Sequence, residues 1–125
     1  IRNKNRFLLC RRGPKEIAAG MWEFPGGKLE IDETPEECMV RELKEELSID
    51  VKVESLYANY TYLSEDIIYD LYFFIIKIYK GKIRKTVHDK IKWLKLEEFI
   101  NYEILPGDGP LIEQLIRDNR IDLHR

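Results

Sequence analysis

The segment Gly26–Ile49, GGKLEIDETPEECMVRELKEELSI, leaves its backbone little choice. Pro25, Gly26 and Gly27 cannot continue a helix and favour a turn. Thr34 is a good N-cap, Pro35 suits the first helical position, and Glu37 completes a capping box. A helix over Thr34–Ser48 is predicted. At about 100° per residue, Met39, Val40, Leu43 and Leu47 share one arc, the expected core face. Glu42, Glu45 and Glu46 share the neighbouring arc. Like charges three and four residues apart cost a few tenths of a kcal/mol per pair. Lys44, on the opposite side, relieves them poorly.

Two readings of the acidic arc stand side by side. A charged helix face is usually a solvated face. Clustered carboxylate oxygens on a rigid helix also suit a hard cation, Mg²⁺ or Mn²⁺, which keeps its waters and binds substrate phosphates. Zinc is disfavoured, because the chain has two histidines and neither is near this helix.

The remaining sequence supplies a frame of strands and helices. Phe7–Cys10 reads as a short buried strand and Arg11–Gly20 as a loop. Met21–Phe24 is a short extended piece. Val51–Tyr62 and Ile67–Tyr79 are strands rich in β-branched and aromatic residues, with a turn at Gly81. Ile91–Leu94 is one more strand, Leu96–Asn101 a short helix and Pro110–Asn119 a final amphipathic helix. Interspersed elements without strict βαβ alternation predict an α/β (α+β) fold, a mixed sheet between helices. With 125 residues, a single domain over 1–125 is expected. Ile1 in place of Met suggests a leading segment outside this chain.

The net charge of -2 gives no support for a nucleic-acid polymer or an anionic membrane as partner. No apolar run reaches the roughly 18 residues of a membrane-spanning helix. Cys10 and Cys38, without CxxC spacing, read as reduced thiols of a cytoplasmic protein.

The spacing around the acidic arc separates its two readings. From Gly27, five residues lead to Glu33, seven more to Arg41-Glu42-Leu43, and then come Lys44, Glu45-Glu46, Leu47, Ser48 and Ile49. This resembles the Nudix box, Gly-x5-Glu-x7-Arg-Glu-U-x-Glu-Glu-x-Gly-U with U aliphatic. Seven defined positions agree before the penultimate one, where Ser48 replaces glycine. That glycine usually ends the helix in a left-handed conformation, so strain is expected at Ser48. Arg11-Arg12, AAGMWEFPGGK and LPGDGPLIEQL resemble the MutT-like branch and its cytidine-nucleotide relatives.

The resemblance implies the Nudix fold, with a first strand expected ahead of this chain, and metal-dependent cleavage of a nucleoside triphosphate, 8-oxo-dGTP among the candidates, to monophosphate and pyrophosphate. A nucleotide sugar, a dinucleotide, or a binding module without turnover are the alternatives. It implies Glu42, Glu45 and Glu46 as metal ligands, with the Gly27 carbonyl a further candidate, and Mg²⁺ or Mn²⁺ as cofactor. Glu42 or Glu46 would deprotonate the attacking water. Arg41 would orient a box carboxylate, Glu33, by a bidentate pair. Lys28 and Arg12 are candidates for phosphate oxygens, whereas Arg11 reads as solvated. Phe24 would face the base or fill the core, and Glu23 would point to the opposite face. Trp22 and Trp93 are expected in the core. Asp108 either reads a donor-rich base edge or caps the last helix. Many relatives carry a further glutamate where this chain has Val87, and neighbouring His88 and Asp89 are candidate substitutes, although a loop histidine is more often exposed. A small-molecule nucleotide is the expected partner; a homodimer is compatible with the sequence.

Overall fold

The computed structural model describes residues 1–84 and 88–123; Val87 therefore lies outside the described residues. In chain order the elements are β1 (Arg2–Asn3), β2 (Arg6–Arg11), β3 (Trp22–Glu23), α1 (Pro35–Leu47), β4 (Asp50–Ser64), β5 (Ile67–Lys80), β6 (Lys90–Lys95) and α2 (Gly109–Leu123). Two 3₁₀ segments, Leu96–Asn101 and Pro106–Asp108, precede α2.

The run FLLC becomes the axis of the molecule because both faces of β2 are covered. Leu8 and Cys10 pack with Leu43 and Leu47 of α1 and with Ile49, Val51 and Ile76. Phe7 and Leu9 point the other way, into a cluster with Trp22, Leu94, Leu96 and Phe99 that α2 covers through Ile112, Leu115 and Ile116. A strand with alternate side chains in two cores has no polar face to show. Leu8, Leu9, Leu43 and Leu47 are fully buried; each contributes about 2 kcal/mol by removal from water. Trp22 is buried, and Trp93 is half-buried against the first cluster.

β2 pairs with β6 along its whole length, Arg6↔Lys95 to Arg11↔Lys90. Its start also pairs with β1 and its end with β3. These ladders are antiparallel; a parallel bridge, Trp22↔Ile104, is added beside β3. β4 and β5 form a long separate antiparallel hairpin. Its turn is Glu65-Asp66, both at positive φ as a two-residue hairpin turn requires.

Helix α1 starts as its sequence dictates. Thr34 accepts the Glu37 N–H, and the Glu37 side chain accepts the Thr34 N–H. The buried stripe is rotated from the expected one. Cys38, Leu43, Glu46 and Leu47 are buried, whereas Val40 is 43% exposed. The turn at Gly26–Gly27 lies over the Glu42–Glu46 edge of the helix and draws that edge inward.

Ser48 ends α1 at φ 58° and ψ 35°, in the left-handed region. Gly81 packs against this end: a Cβ there would stand 3.0 Å from the Ser48 carbonyl oxygen, and its φ is +101°. The Ser48→Gly variant should therefore gain about 1 kcal/mol, or about 4 °C in Tm, which a thermal melt would register. An unchanged or lower Tm would show that Ser48 carries no strain.

Candidate active site

The carboxylates of α1 are held from two sides. On one side stands Arg41. Its Nε donates to Glu33 Oε2 at 2.7 Å and its Nη2 to Glu33 Oε1 at 2.9 Å, a bidentate pair. Its Nη1 reaches Glu42 Oε1 at 2.7 Å and Glu45 Oε2 at 3.2 Å, and Nη2 also donates to the Lys28 carbonyl at 3.0 Å. The guanidinium brings the Glu33 carboxyl down to about 2. Arg41 thus ties the loop before α1 to the helix and sets the position of Glu42.

On the other side lies the glycine turn. A Cβ on Gly27 would fall 2.3 Å from Glu42 Cδ, so only a glycine lets the backbone pass this close to the carboxylate. Glu46 Oε2 accepts the Gly26 N–H at 3.3 Å. The Gly27 carbonyl faces the Cys38 thiol at 3.8 Å. Glu46 is only 8% exposed, so the acidic arc is not simply a solvated face. Burial, and then the neighbouring charges of Glu42 and Glu23, push its carboxyl up to about 8. Glu45 is mostly exposed and turned toward Arg41. Glu42 and Glu46 are therefore side by side, while the three carboxylates are not drawn to one point; no close group of three metal-ligating side chains occurs among the described residues. The donor chemistry fits a hard divalent cation. It offers carboxylate oxygens with a backbone carbonyl close by, and the crowding seen at Glu46 is what a cation would relieve.

Gly26 and Gly27 line a cleft of about 640 Å³. Arg12, Glu23, Phe24, Lys28 and Asp108 line it as well. Phe24 lies edge-on to Phe73, with ring centroids 6.4 Å apart, and packs against the second core cluster while also lining the cleft. Asp108 ends the 3₁₀ turn just before α2, and its Oδ2 accepts the Phe24 N–H at 3.1 Å. Burial raises its carboxyl to about 7, with the Glu23 charge adding to the shift.

The raised value means that the folded state binds the Asp108 proton more tightly than the unfolded chain. Wild-type stability should then fall as pH rises from about 4 to about 7. Asp108→Asn removes that loss and keeps an acceptor for Phe24. Its Tm should overtake that of the wild type across this window by the equivalent of about 1 kcal/mol, limited by the open cleft edge. Parallel melting curves from pH 4 to pH 8 would contradict this.

Arg12 is more committed than expected. Its Nε donates to the Ile17 carbonyl and its Nη1 to Glu23 Oε2, both at 2.6 Å. Glu23 is buried, and its Oε1 lies 3.3 Å from His88 Nε2. Burial opposes ionisation of Glu23, but hydrogen bonds from His88 and Arg12 prevail and lower its pKa. His88 is itself buried, contrary to the exposed loop histidine expected. Arg11 is not merely solvated: Nε and Nη2 grip Asp89 at 2.8 and 2.7 Å. Asp89 is thereby engaged away from the box, and His88 faces Glu23. The Arg12–Glu23–His88 chain escaped the sequence reading. Its one local signal was an acid between the two aromatic residues of WEF, where a buried strand needs a partner for any charge.

The NUDIX domain family matches residues 1–115. The chain belongs to the Nudix family. This Nudix chain is 34% identical over 113 residues to the CTP pyrophosphohydrolase of Escherichia coli K12, covering 90% of this chain and 84% of that protein. It is 33% identical over 118 residues to the 8-oxo-dGTP diphosphatase of the same organism, covering 94% and 92%. Among solved structures, the E. coli ORF135 protein aligns with a TM-score of 0.81 at 32% identity, covering 92% of this chain and 82% of that one. The MutT protein from Methanosarcina mazei Go1 aligns at 0.80 with 27% identity, covering 94% and 87%. This Nudix chain is a nucleotide pyrophosphohydrolase, a hydrolase of phosphoric anhydride bonds. Nudix enzymes generally use divalent metals such as Mg²⁺. No helix among the described residues is long and apolar enough to cross a membrane.

Proposed function

We propose that this Nudix chain hydrolyses nucleoside triphosphates to the monophosphate and pyrophosphate, with Mg²⁺ held by Glu42, Glu45, Glu46 and the Gly27 carbonyl. The observation that carries it is the pairing of Glu42 and Glu46 beside the Gly26–Gly27 turn, which lines the cleft. Bound there, Mg²⁺ supplies charge neutralisation for the phosphate oxygens and a more acidic water. Glu42 or Glu46 takes the proton of the attacking water, one phosphoric anhydride bond breaks, and pyrophosphate leaves. Arg41 keeps Glu33 and Glu42 in place during the step. Arg12 and Lys28 reach phosphate oxygens, and Phe24 lies along the base.

Asp108 selects the base. With one oxygen on the Phe24 N–H, an ionised Asp108 offers its other oxygen as an acceptor, which suits an exocyclic amine such as that of cytosine. The similarity to a CTP pyrophosphohydrolase supports this reading. A protonated Asp108 donates instead and suits a carbonyl edge. The high value of its carboxyl and the similarity to 8-oxo-dGTP diphosphatases favour that second reading.

The test is release of phosphate or pyrophosphate across the common NTPs and dNTPs, 8-oxo-dGTP, ADP-ribose and a dinucleoside polyphosphate, with Mg²⁺ and with EDTA. Metal-dependent formation of monophosphate and pyrophosphate is expected. Cleavage confined to ADP-ribose or the dinucleotide would reject the triphosphate reading. Asp108→Asn is expected to change the ranking of bases; a shifted Tm with unchanged ranking would leave Asp108 only the task of holding Phe24.

A further inference from the structure

The buried Arg12–Glu23–His88 chain needs an explanation that stability does not supply. Burying charges is costly, and a buried ion pair often adds little over apolar residues of the same volume. Here the Glu23 and His88 side chains are 11% and 5% exposed, in a strand that otherwise packs aromatic residues. The place of the chain in the fold is informative. Glu23 and Arg12 line the same cleft as Gly26 and Gly27. A lone carboxylate there would repel a polyanion, so Glu23 is tolerable only when its charge is answered.

Its partners do more than answer it. A guanidinium has five N–H groups in a fixed plane. On Arg12, the Ile17 carbonyl engages Nε and Glu23 engages Nη1, which sets both the position and the tilt of that plane. Nη2 stands 3.7 Å from the exposed Glu16, outside hydrogen-bond range. Nε and Nη1 lie on different edges of the plane, so both edges are anchored, while Nη2, ion-paired with Glu16 but not hydrogen-bonded to it, keeps donors for a further acceptor. Glu23 is in turn steadied by His88 Nε2. The chain runs from β6's leading segment, through β3, to the end of β2.

We propose that Glu23 and His88 are positioning residues that aim the Arg12 guanidinium at a phosphate oxygen of the substrate. This rests on the reading of Arg12 as a phosphate-binding residue. Neither Glu23 nor His88 touches the substrate: His88 steadies Glu23, and Glu23 fixes Arg12. Loss of either one loosens the grip on the polyphosphate while leaving the box on α1 as it was.

The experiment is a double-mutant cycle on the full chain, with Arg12→Ala, Glu23→Gln and the pair. It reads kcat and KM for the best triphosphate, and affinity for the α,β-methylene analogue of CTP by calorimetry. Glu23→Gln is expected to raise KM and weaken the analogue by about tenfold, with kcat changed less than about threefold. In the Arg12→Ala background the same substitution should add less than about twofold. His88→Leu should resemble Glu23→Gln, whereas His88→Gln, which keeps a donor near Nε2, should restore most of the affinity. Should Glu23→Gln not fold, His88→Leu takes its place in the cycle. Equal effects of Glu23→Gln with and without Arg12 would overturn the positioning role while leaving Arg12 as a phosphate ligand. An Arg12→Ala variant with wild-type KM and analogue affinity would overturn both.

Discussion

Glu46→Gln is expected to lower kcat by about a thousandfold, equivalent to about 4 kcal/mol of transition-state stabilisation, and to leave Tm equal to or above that of the wild type. The two halves of this expectation have different origins. Activity falls because an amide is a poor ligand for a hard cation and a poor proton acceptor. Stability does not fall because the buried carboxyl is strained by its surroundings. Desolvation and the charges of Glu42 and Glu23 push it up to about 8. A glutamine removes that repulsion and still offers an oxygen to the Gly26 N–H, now 3.3 Å from Glu46 Oε2. Turnover assays in Mg²⁺ together with melts in EDTA separate the two. Wild-type turnover would refute the metal assignment, and a Tm lowered by many degrees would show that Glu46 is a structural acid.

Gly27→Ala should cost about a hundredfold in kcat with a small change in Tm. The added methyl would meet Glu42 Cδ at 2.3 Å and both carboxyl oxygens at 2.5 Å. Glu42 must give way, because the alternative is to move the loop that Arg41 fastens through the Lys28 carbonyl and Glu33. A displaced Glu42 leaves its 2.7 Å contact with Arg41 and its place beside Glu46. Gly27 is exposed, so little packing is lost. A crystallographic or kinetic result showing Glu42 undisturbed and kcat unchanged would mean that the close approach is incidental.

Gly27 and Glu42 also show what was legible along the chain. The turn, the capping box and the helix each depend on residues within a few positions of one another and could be read directly, whereas the left-handed end at Ser48 followed from the glycine of the Nudix box. The Arg41–Glu33 pair, across eight residues and about two helix turns, was implied by the resemblance to the Nudix box. The phase of the helix was less so. Val40 and Met39 are similar as apolar residues; which of them faces inward depends on the glycine turn lying over Glu42 and Glu46.

By itself the sequence determined the helix that carries the acids, because capping and periodicity are local properties of the chain, and its resemblance to the Nudix box implied the family and the reaction class. Only the tertiary structure decided the states of those acids and the company of the residues around them. His88 meets Glu23 across 65 residues, Arg11 meets Asp89 across 78, and Asp108 meets the Phe24 N–H across 84. Such contacts form only when β3 and β6 have flanked β2 and the 103–105 segment has come alongside β3. A carboxylate's charge state depends on how much water the completed fold removes from it and which donors replace that water. No periodicity in the chain encodes those two quantities, so the lowered pKa of Glu23 and the raised ones of Glu46 and Asp108 emerge only in the folded molecule.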